Sequence, residues 1–507
     1  MSLTRREAIV LGASALVAAG CGSFRSGTPT GSTLASTWVD PGGTGTLAPG
    51  PGERLLARTE LAPARAAEGV IATIAHITDA HVLDASSPAR VPFLDRLGAP
   101  FESTFRPHET LTAQVLAGAT RAVRALRPDA VIQGGDLIDN DQRNELAWAL
   151  AALHGGIVRP DRYFGVQLAG DPDPFYYRPD LDAPRHPGLL SRASRPFASL
   201  GAGAPVYPVL GDHDILVAGE LVPTPETRAL AVGDEALWEL PPGLSLPPGT
   251  SLTAGGSPDG PPLPGVVNGF LAQALAGRKV RVPADPRRRE VSVAEAIRIL
   301  RPGAGASLDY AVDIGPELRL IVLDLVRRGG GSGGLVRPDQ PGWLASQLAG
   351  SAKAGGAGAG EAGAGAGEAG GAGAGGGGRW VVVVSHQPLA GSEGGEAVLS
   401  LLDAHPNVIA VLSGHTHRNL IEPRAHYWLI STASLIDYPQ QARALRFVRT
   451  AGGGVAIQTW MLDHAFPGDL GTISRQLAYL DAQGGRPKAF AGGRLDRNVT
   501  LYLAKPA

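Results

Sequence analysis

Short apolar runs alternate with amphipathic and polar stretches along most of the chain. The run at 70–78 predicts a strand, and amphipathic stretches near 111–126 and 144–154 predict helices on either side of a strand at 130–133. Further strands are predicted at 206–210, 318–325, 380–385, 408–412, 427–430, 444–449 and 455–461. This alternation indicates an α/β fold, and the continuous apolar runs are typical of strands buried on both faces.

Three stretches without strong periodicity interrupt this pattern. Residues 156–200 and 218–305 are proline-rich and loop-like, and we expect these insertions to set specificity. Residues 350–378 are almost wholly Gly, Ala and Glu, which predicts a disordered surface loop. We therefore expect an export signal at 1–21 and a flexible Gly/Ser/Pro tether at 22–52. One main domain follows at 65–465, and a C-terminal extension at 466–507.

The first residues have the features of an export signal. Arg5 and Arg6 precede an apolar stretch at 8–19 that is too short for a good membrane span, and small residues lead to Cys21. Cys21 resembles the lipid-modified cysteine of a bacterial lipobox, with an ordinary secretory signal as the alternative. Thr4, Arg5 and Arg6 also resemble a twin-arginine signal, so two export routes stay open. We expect an exported protein, either a cell-surface lipoprotein or a secreted one.

The overall composition excludes several classes of function. The 507 residues carry a net charge of −2, with 45 Lys and Arg against 47 Asp and Glu, so no basic field favours nucleic acid. A single cysteine excludes an intramolecular disulfide framework and a cysteine-based zinc finger. No patch, repeat or long amphipathic helix predicts a protein partner.

Metal-capable side chains follow the ends of five predicted strands. They are Asp79 and His81, then Asp136, then Asp212 with His213 and Asp214, then His386, and last His415 with His417. Ligands bind at the carboxyl edge of an α/β sheet, where such strand ends meet. Residues i and i+2 of an extended segment point to the same side, so Asp79 and His81 can bind one ion together. Each motif alone is a weak signal, but five in order form a specific one.

In this order the motifs resemble those of the calcineurin-like metallophosphoesterases, a superfamily with a binuclear metal centre. The resemblance covers residues from about 70 to 461 and implies a central β-sandwich flanked by helices. It implies two metal sites that share one carboxylate: Asp79, His81, Asp136 and His417 for the first ion, and Asp136, Asp212, His386 and His415 for the second. Ligands of these types, without thiolate, suit two divalent ions such as Mn, Fe or Zn.

The same resemblance implies hydrolysis of phosphate esters. Two divalent ions that share a water generate hydroxide near neutral pH, and this hydroxide attacks phosphorus in line. His213 matches the family's general acid, with Asp214 to orient it, and a further metal ligand or a structural histidine is the alternative. Asp139 and Asn140 follow the bridging carboxylate closely, and they either stabilise a turn or contact substrate.

Asp212 departs from the family pattern, which usually has Asn there. Its carboxylate lowers the charge of the centre by one unit, and we therefore expect diesters to be slightly favoured over monoesters. The run at 431–441, the two insertions and the export signal resemble a group of exported, actinobacterial-type metallophosphoesterases. A non-catalytic metal-binding surface lipoprotein is the alternative from another class, and the presence of every expected ligand speaks against it.

Overall fold

The structure of the chain is a computed structural model. It describes residues 30–90, 106–160, 177–237, 241, 243, 273–353, 378–484 and 490–506. The export signal with Cys21 and most of the Gly/Ala loop at 350–378 lie outside the described residues. Within the described ranges, no helix combines the length and the apolar character needed to cross a bilayer.

Strands and helices alternate through much of the described chain. The strands are β1 (Ser36–Val39), β2 (Ala48–Pro51), β3 (Leu56–Arg58), β4 (Ala67–Ile77), β5 (Ala130–Gln133), β6 (Gly156–Val158), β7 (Phe197–Ser199), β8 (Val206–Pro208), β9 (Glu235–Leu237), β10 (Lys279–Arg281), β11 (Tyr310–Ile314), β12 (Leu318–Leu323), β13 (Trp380–Ser385), β14 (Val408–Ser413), β15 (Leu420–Arg424), β16 (Tyr427–Ser431), β17 (Gln441–Thr450), β18 (Gly454–Asp463) and β19 (Val499–Leu503). The α-helices are α1 (Thr112–Leu126), α2 (Arg143–His154), α3 (Leu189–Ala193), α4 (Pro225–Val232), α5 (Val293–Leu300), α6 (Gln340–Lys353), α7 (Gly395–Asp403) and α8 (Asp469–Gly484).

Two large mixed sheets form the centre of the molecule. One has seven strands in the order β3-β19-β18-β17-β4-β5-β8, and the other has six in the order β11-β12-β13-β14-β16-β15. The runs β4-β5-β8 and β12-β13-β14-β16 are parallel. Each parallel run therefore brings the carboxyl ends of its strands to one edge.

Alternate side chains along the central strands define the layers. Leu320 and Val322 of β12 lie in one buried cluster with Phe447 of β17, whereas Ile321 and Leu323 pack with α6 and α7. This period of two places one face of the six-stranded sheet against the other sheet and its opposite face against helices. Helix α1 packs against β17, β18 and α2. The α/β fold with a central sandwich flanked by helices is thus confirmed.

The segment before the sheets differs from the flexible tether expected at 22–52. Strands β1 and β2 pair antiparallel. Both the amide and the hydroxyl of Thr33 donate hydrogen bonds to the carbonyl oxygen of Met461, at 3.0 and 2.9 Å. The described part of this segment is therefore held against β18, because its polar groups satisfy backbone groups of the core.

The main domain also continues beyond the boundary expected at 465. Helix α8 and β19 lie in the predicted C-terminal extension, and β19 is inserted between β3 and β18 of the seven-stranded sheet. The two expected insertions contain short elements: β6, α3 and β7 in the first, and α4, β9, β10 and α5 in the second. Local composition could not reveal these pairings, since each depends on a partner distant in sequence.

Candidate metal centre

The predicted metal-capable residues follow β4, β5, β8, β13 and β14 in the structure. All five strands belong to the parallel parts of the two sheets. At the junction, Gly414 lies so close to Thr78 and Asp79 that a Cβ on it would overlap both side chains. The loops of the two sheets therefore meet, and the side chains from the five strand ends share one site.

Asp136, Asp212, His386 and His415 form one group of potential ligands, with all ligand atoms within 4.8 Å of one another. The Nε2 atom of His386 lies 3.0 Å from Oδ2 of Asp136 and 3.2 Å from Oδ1 of Asp212. The same Asp212 oxygen lies 3.3 Å from Nδ1 of His415. These are the four residues that the sequence resemblance assigns to the second ion.

The environment of His386 fits a cation. Its Nδ1 donates a hydrogen bond of 2.8 Å to the carbonyl oxygen of Gly134, since a carbonyl can only accept. Its Nε2 is buried and has no hydrogen-bond partner among the described residues. Burial lowers the pKa of His386, but Asp136, Asp212 and Asp79 outweigh it and, without a cation, raise that pKa well above the usual range. When the ring is neutral, Nε2 presents a lone pair to carboxylate oxygens, which are also acceptors. A positive ion between these atoms removes the repulsion, as a divalent metal would.

Asp79, His81 and His417 form the second group. The Nε2 atoms of the two histidines lie 3.2 Å apart, and Nε2 of His417 lies 3.3 Å from Oδ1 of Asp79. Two nitrogens each bound at about 2.1 Å to one ion also lie about 3–3.5 Å apart. Asp136 adjoins this group as well, with Oδ2 at 3.7 Å from Nε2 of His81. Its place between the groups suits a shared ligand.

Each histidine of this second group has a carboxylate behind it. Nδ1 of His81 lies 3.0 Å from Oδ1 of Asp139, and Nδ1 of His417 lies 2.5 Å from Oδ2 of Asp437. Asp437 is held in turn by Arg106, whose Nε lies 2.5 Å from its Oδ1. Such carboxylates fix the tautomer and the orientation of a ligating histidine and increase its basicity.

Sequence reasoning assigned no role to Asp437 or Arg106, and for Asp139 it considered only a turn or substrate contact. Asp139 lies three residues after Asp136, a separation that local reasoning can reach. Arg106 and Asp437 are 331 positions apart. The only sequence signal for Asp437 was the polar run at 431–441 after a predicted strand.

His213 lies beside the two groups on a more open side of the site. Its ring is edge-on to that of His81, with centroids 4.5 Å apart, and its side chain is 21% exposed. Its Nδ1 donates a hydrogen bond of 2.7 Å to the backbone oxygen of Asp139. The ring is thereby oriented with Nε2 left available for a ligand.

Asp214 does not orient His213, contrary to the sequence prediction. Its two carboxylate oxygens accept hydrogen bonds from the amides of Leu137, Ile138 and Gly211 at 2.9–3.2 Å. Asp214 therefore joins the loop after β5 to the loop after β8. Adjacency in sequence was misleading here, because the Asp214 side chain points to a different loop.

Asn140 is buried, and both polar atoms of its side chain form hydrogen bonds within the loops of the site. Its Oδ1 accepts from the amide of Ala218, and its Nδ2 donates to Asp139. Its own amide donates to Glu145. The turn-stabilising alternative is therefore the one that the structure supports.

The loops that carry the ligands adopt unusual backbone conformations. Positive φ angles occur at Asp79, His81, Asp136, His415 and His417, between 41° and 64°. Each such non-glycine residue costs about 1–3 kcal/mol, which the surrounding contacts must offset. One such contact is the hydrogen bond of 2.9 Å from the amide of His213 to Oδ1 of Asp136. Strain of this kind turns side chains toward the common site.

The charged groups of the site shift one another's pKa values. Burial tends to raise the pKa values of Asp79 and Asp212, but the neighbouring histidines lower both below the usual range. Burial tends to lower the pKa of His417, and Asp79 and Asp437 outweigh it and raise that pKa to about 9. The carboxylates are consequently ionised, as metal ligands must be.

Comparisons with known proteins gave only distant likenesses. No family model and no curated protein matches the chain. A dimetal phosphatase from Danio rerio is similar over 78% of this chain and 100% of its own, with 14% identity and a TM-score of 0.37. A structure described as PhoD is similar over 83% and 79%, with 12% identity and a TM-score of 0.29. GAP50 of Plasmodium, described as an anchor in the inner membrane complex, is similar over 78% and 89%, with 11% identity and a TM-score of 0.29.

Similarities at this level of sequence identity and TM-score do not justify assigning the activity of these proteins to this chain. The convergence of the seven expected ligands into two adjoining groups supports the resemblance to calcineurin-like metallophosphoesterases independently of those comparisons.

Proposed function

We propose that this chain is a binuclear metal-dependent phosphoesterase. One observation carries the proposal: side chains from five strand ends, far apart in sequence, converge in two ligand groups with Asp136 between them. Building such a site requires burying several carboxylates, which is costly unless a cation pairs with them.

The ligand set indicates what the bound metals would do. A pair of Mn, Fe or Zn ions supplies an activated water and neutralises charge on the phosphoryl oxygens. The first group would hold one ion through Asp79, His81 and His417, with Asp136 shared between both ions. Asp212, His386 and His415 complete the second site.

The residues around the metals would position substrate and move a proton. His213 is oriented through Nδ1 by the backbone of Asp139, so its Nε2 is free to donate a proton to the leaving oxygen. Asp139 and Asp437 hold the imidazoles of His81 and His417 in place from behind. His213 and His415 are each 21% exposed, which puts the approach for substrate on their side.

Diesters are the favoured substrate class in this proposal. Asp212 accepts a hydrogen bond of 2.9 Å from Nε2 of Gln387, and its pKa lies well below the usual range despite burial, because His415 and His386 are close. It therefore contributes a full negative charge, which weakens the attraction of a dianionic monoester about twice as much as that of a monoanionic diester.

We further propose, from the sequence alone, that the protein is exported and either anchored through lipid on Cys21 or secreted. Radiolabelled palmitate incorporation that depends on Cys21 would support the lipoprotein. Loss of the label in the Cys21→Ser variant would agree with it, and label retained in that variant would exclude lipidation at Cys21.

The activity is tested with bis-p-nitrophenyl phosphate and p-nitrophenyl phosphate after reconstitution with Mn, Fe or Zn. We expect metal-dependent turnover that Asp136→Asn abolishes and that His213→Ala lowers by about 10²–10⁴. His426→Ala is the matched control, because His426 lies outside both ligand groups and contacts the backbone of His405 and the ring of Tyr427.

Two outcomes oppose the proposal. Turnover that survives Asp136→Asn would place the chemistry elsewhere. Binding of two ions without turnover of either ester would favour the alternative, a non-catalytic metal-binding surface lipoprotein.

A further inference from the structure

A polar cavity of about 250 Å³ lies between the docked N-terminal segment and the core. None of its lining residues is a ligand candidate of the metal centre. Its charged, aromatic and amide lining residues include Trp38, Glu53, Tyr438, Gln441, Arg475 and Arg497. The cavity is therefore a separate feature, although Tyr438 directly follows Asp437 in the chain.

Arg475 lines this cavity as a buried cation that makes no direct ion pair with any described residue, although the charge of Asp463 in the same lining attracts it. The residue is only 4% exposed, and its guanidinium carbon lies 4.7 Å from the ring centroid of Trp38. One terminal nitrogen donates a hydrogen bond of 3.0 Å to the backbone oxygen of His464. Across the described part of the chain, Arg475 forms no ion pair, and its Nε has no hydrogen-bond partner.

The acidic residues in the lining are occupied by other groups. Glu53 binds Arg497 at 2.8 Å, and Asp463 accepts a hydrogen bond of 2.8 Å from Gln441. Burial raises the pKa of Asp463 and lowers that of Arg475, so neither charge is well compensated. A second guanidinium, that of Arg497, reaches the same cavity, and its Nε also lacks a partner among the described residues.

An unpaired buried cation is costly, and proteins rarely keep one without a counter-ion. The arrangement of two guanidinium groups around a polar space matches the planar, multiple hydrogen bonding with which arginine binds phosphate and carboxylate. The cavity volume restricts the ligand to a small molecule or to one end of a larger one.

We propose that this cavity is a binding site for a small anion with a phosphate or carboxylate group, held by Arg475 and Arg497. The anion joins the N-terminal segment to the core, because Trp38 and Glu53 come from the segment and the two arginines from the core. The site acts independently of the phosphoesterase activity proposed above.

Thermal unfolding of the metal-loaded full chain tests the site, with inorganic phosphate, succinate or chloride added at equal ionic strength. We expect phosphate or succinate to raise the melting temperature of the wild-type protein above its value in chloride. Each protein is compared with itself in chloride, because Arg475→Met also removes the attraction between Arg475 and Asp463 and so changes the stability in chloride. Arg475→Met should bind the anion about tenfold to a hundredfold more weakly, because charge-assisted hydrogen bonds are lost.

Phosphate also approaches the metal centre, so the comparison between variants isolates the cavity. Arg446→Met is the matched control: Arg446 lies over the ring of Trp460 at 5.1 Å, outside the cavity, and its loss should leave the anion effect unchanged. A response to succinate alone identifies a carboxylate ligand, and a response to phosphate alone identifies a phosphate.

Equal stabilisation of wild type and Arg475→Met, or equal effects of all three anions, would overturn the proposal. Should Arg475→Met not fold, Arg497→Gln replaces it, because the Arg497 side chain is 24% exposed and tolerates change better. We then expect binding about tenfold weaker. Unchanged anion binding in that variant overturns the proposal equally.

Discussion

At the scale of single residues, the candidate centre depends on pairs of carboxylates and histidines. Asp139 lies behind His81 and Asp437 behind His417, each within 3.0 Å of an imidazole nitrogen. Each pair turns the opposite nitrogen of the ring toward the space between the ligand groups. The metal-facing atoms are thus determined by residues that do not themselves face the metals.

Replacing Asp437 tests this role. We expect Asp437→Asn to weaken metal binding about tenfold to a hundredfold, because His417 loses a charged acceptor while the amide keeps the shape. Competition with a chromophoric chelator measures the affinity without reference to catalysis. Asp403→Asn is the control, since Asp403 also binds an arginine, Arg424, but lies outside both ligand groups. Equal affinities in all three proteins would show that Asp437 has no positioning role.

Asp212 determines the charge of the second ligand group. We expect Asp212→Asn to raise monoester turnover relative to diester turnover, because one negative charge is removed from the centre. The ratio of kcat/KM for p-nitrophenyl phosphate and its bis ester measures this effect at constant metal occupancy. A ratio equal to that of the wild-type protein would refute the charge explanation.

At the scale of elements, the tight turns after the strands decide where the ligands point. Gly135 has a φ of 96°, and a Cβ on it would overlap the imidazole of His386. The turn at Gly135 therefore leaves room for His386, a candidate ligand that follows a strand of the other sheet. Glycine is the residue that permits both the angle and the contact.

Gly135→Ala should therefore disrupt the second ligand group as well as the turn. We expect a loss of about 1–2 kcal/mol for the left-handed angle and about 1–3 kcal/mol more for the overlap. Gly452→Ala separates the two effects, because Gly452 has a φ of 89° and nothing within 4 Å of its Cβ position. Urea unfolding and metal titration of both variants provide the measurements. Similar losses in the two proteins would show that the contact with His386 is unimportant.

At the scale of the whole molecule, the sandwich buries ionisable groups that are not ligands of the candidate centre. Burial lowers the pKa of His464 well below the usual range, and neither ring nitrogen has a partner among the described residues. Burial, aided by the charge of Arg443, also lowers the pKa of His76 to about 3. The ring of His76 is therefore neutral in the folded chain at pH 5–7, and the pKa of His464 lies well below that of a histidine in the unfolded chain.

His76 and His464 should therefore each lower the stability of the metal-free protein as the pH falls below about 6.5, the usual histidine pKa. Below that pH the two histidines bind more protons in the unfolded chain than in the folded chain. Above it they are neutral in both states and do not make the free energy of unfolding depend on pH. Each contributes up to about 1.4 kcal/mol per pH unit, down to about pH 3 for His76. Urea unfolding between pH 8 and 5 measures how the free energy of unfolding changes with pH. We expect a smaller slope for His464→Leu, and its difference from the wild-type slope gives the contribution of His464. An unchanged slope in that variant would contradict the assignment.

The alternation of apolar runs predicted the strands that carry the site, and the residue types after those runs predicted its ligands. Both properties are local, because the burial pattern of a strand and the chemical type of a ligand depend on consecutive residues. The prediction failed where only neighbours in sequence were considered, as with Asp214, whose oxygens bind the amides of Leu137, Ile138 and Gly211. It failed again for residues 30–52, where a composition typical of linkers forms a docked hairpin.

The sequence by itself determined the α/β class, the order of the strand ends and seven ligands of suitable chemistry. Tertiary structure alone decided that Asp437 and Arg106 support His417, that β19 joins the seven-stranded sheet, and that Arg475 is buried without a direct ion pair among the described residues. The reason is physical. Hydrogen-bond geometry and desolvation depend on which groups the folded chain brings within a few ångströms, and some of these groups, such as Arg106 and Asp437, are hundreds of residues apart in sequence.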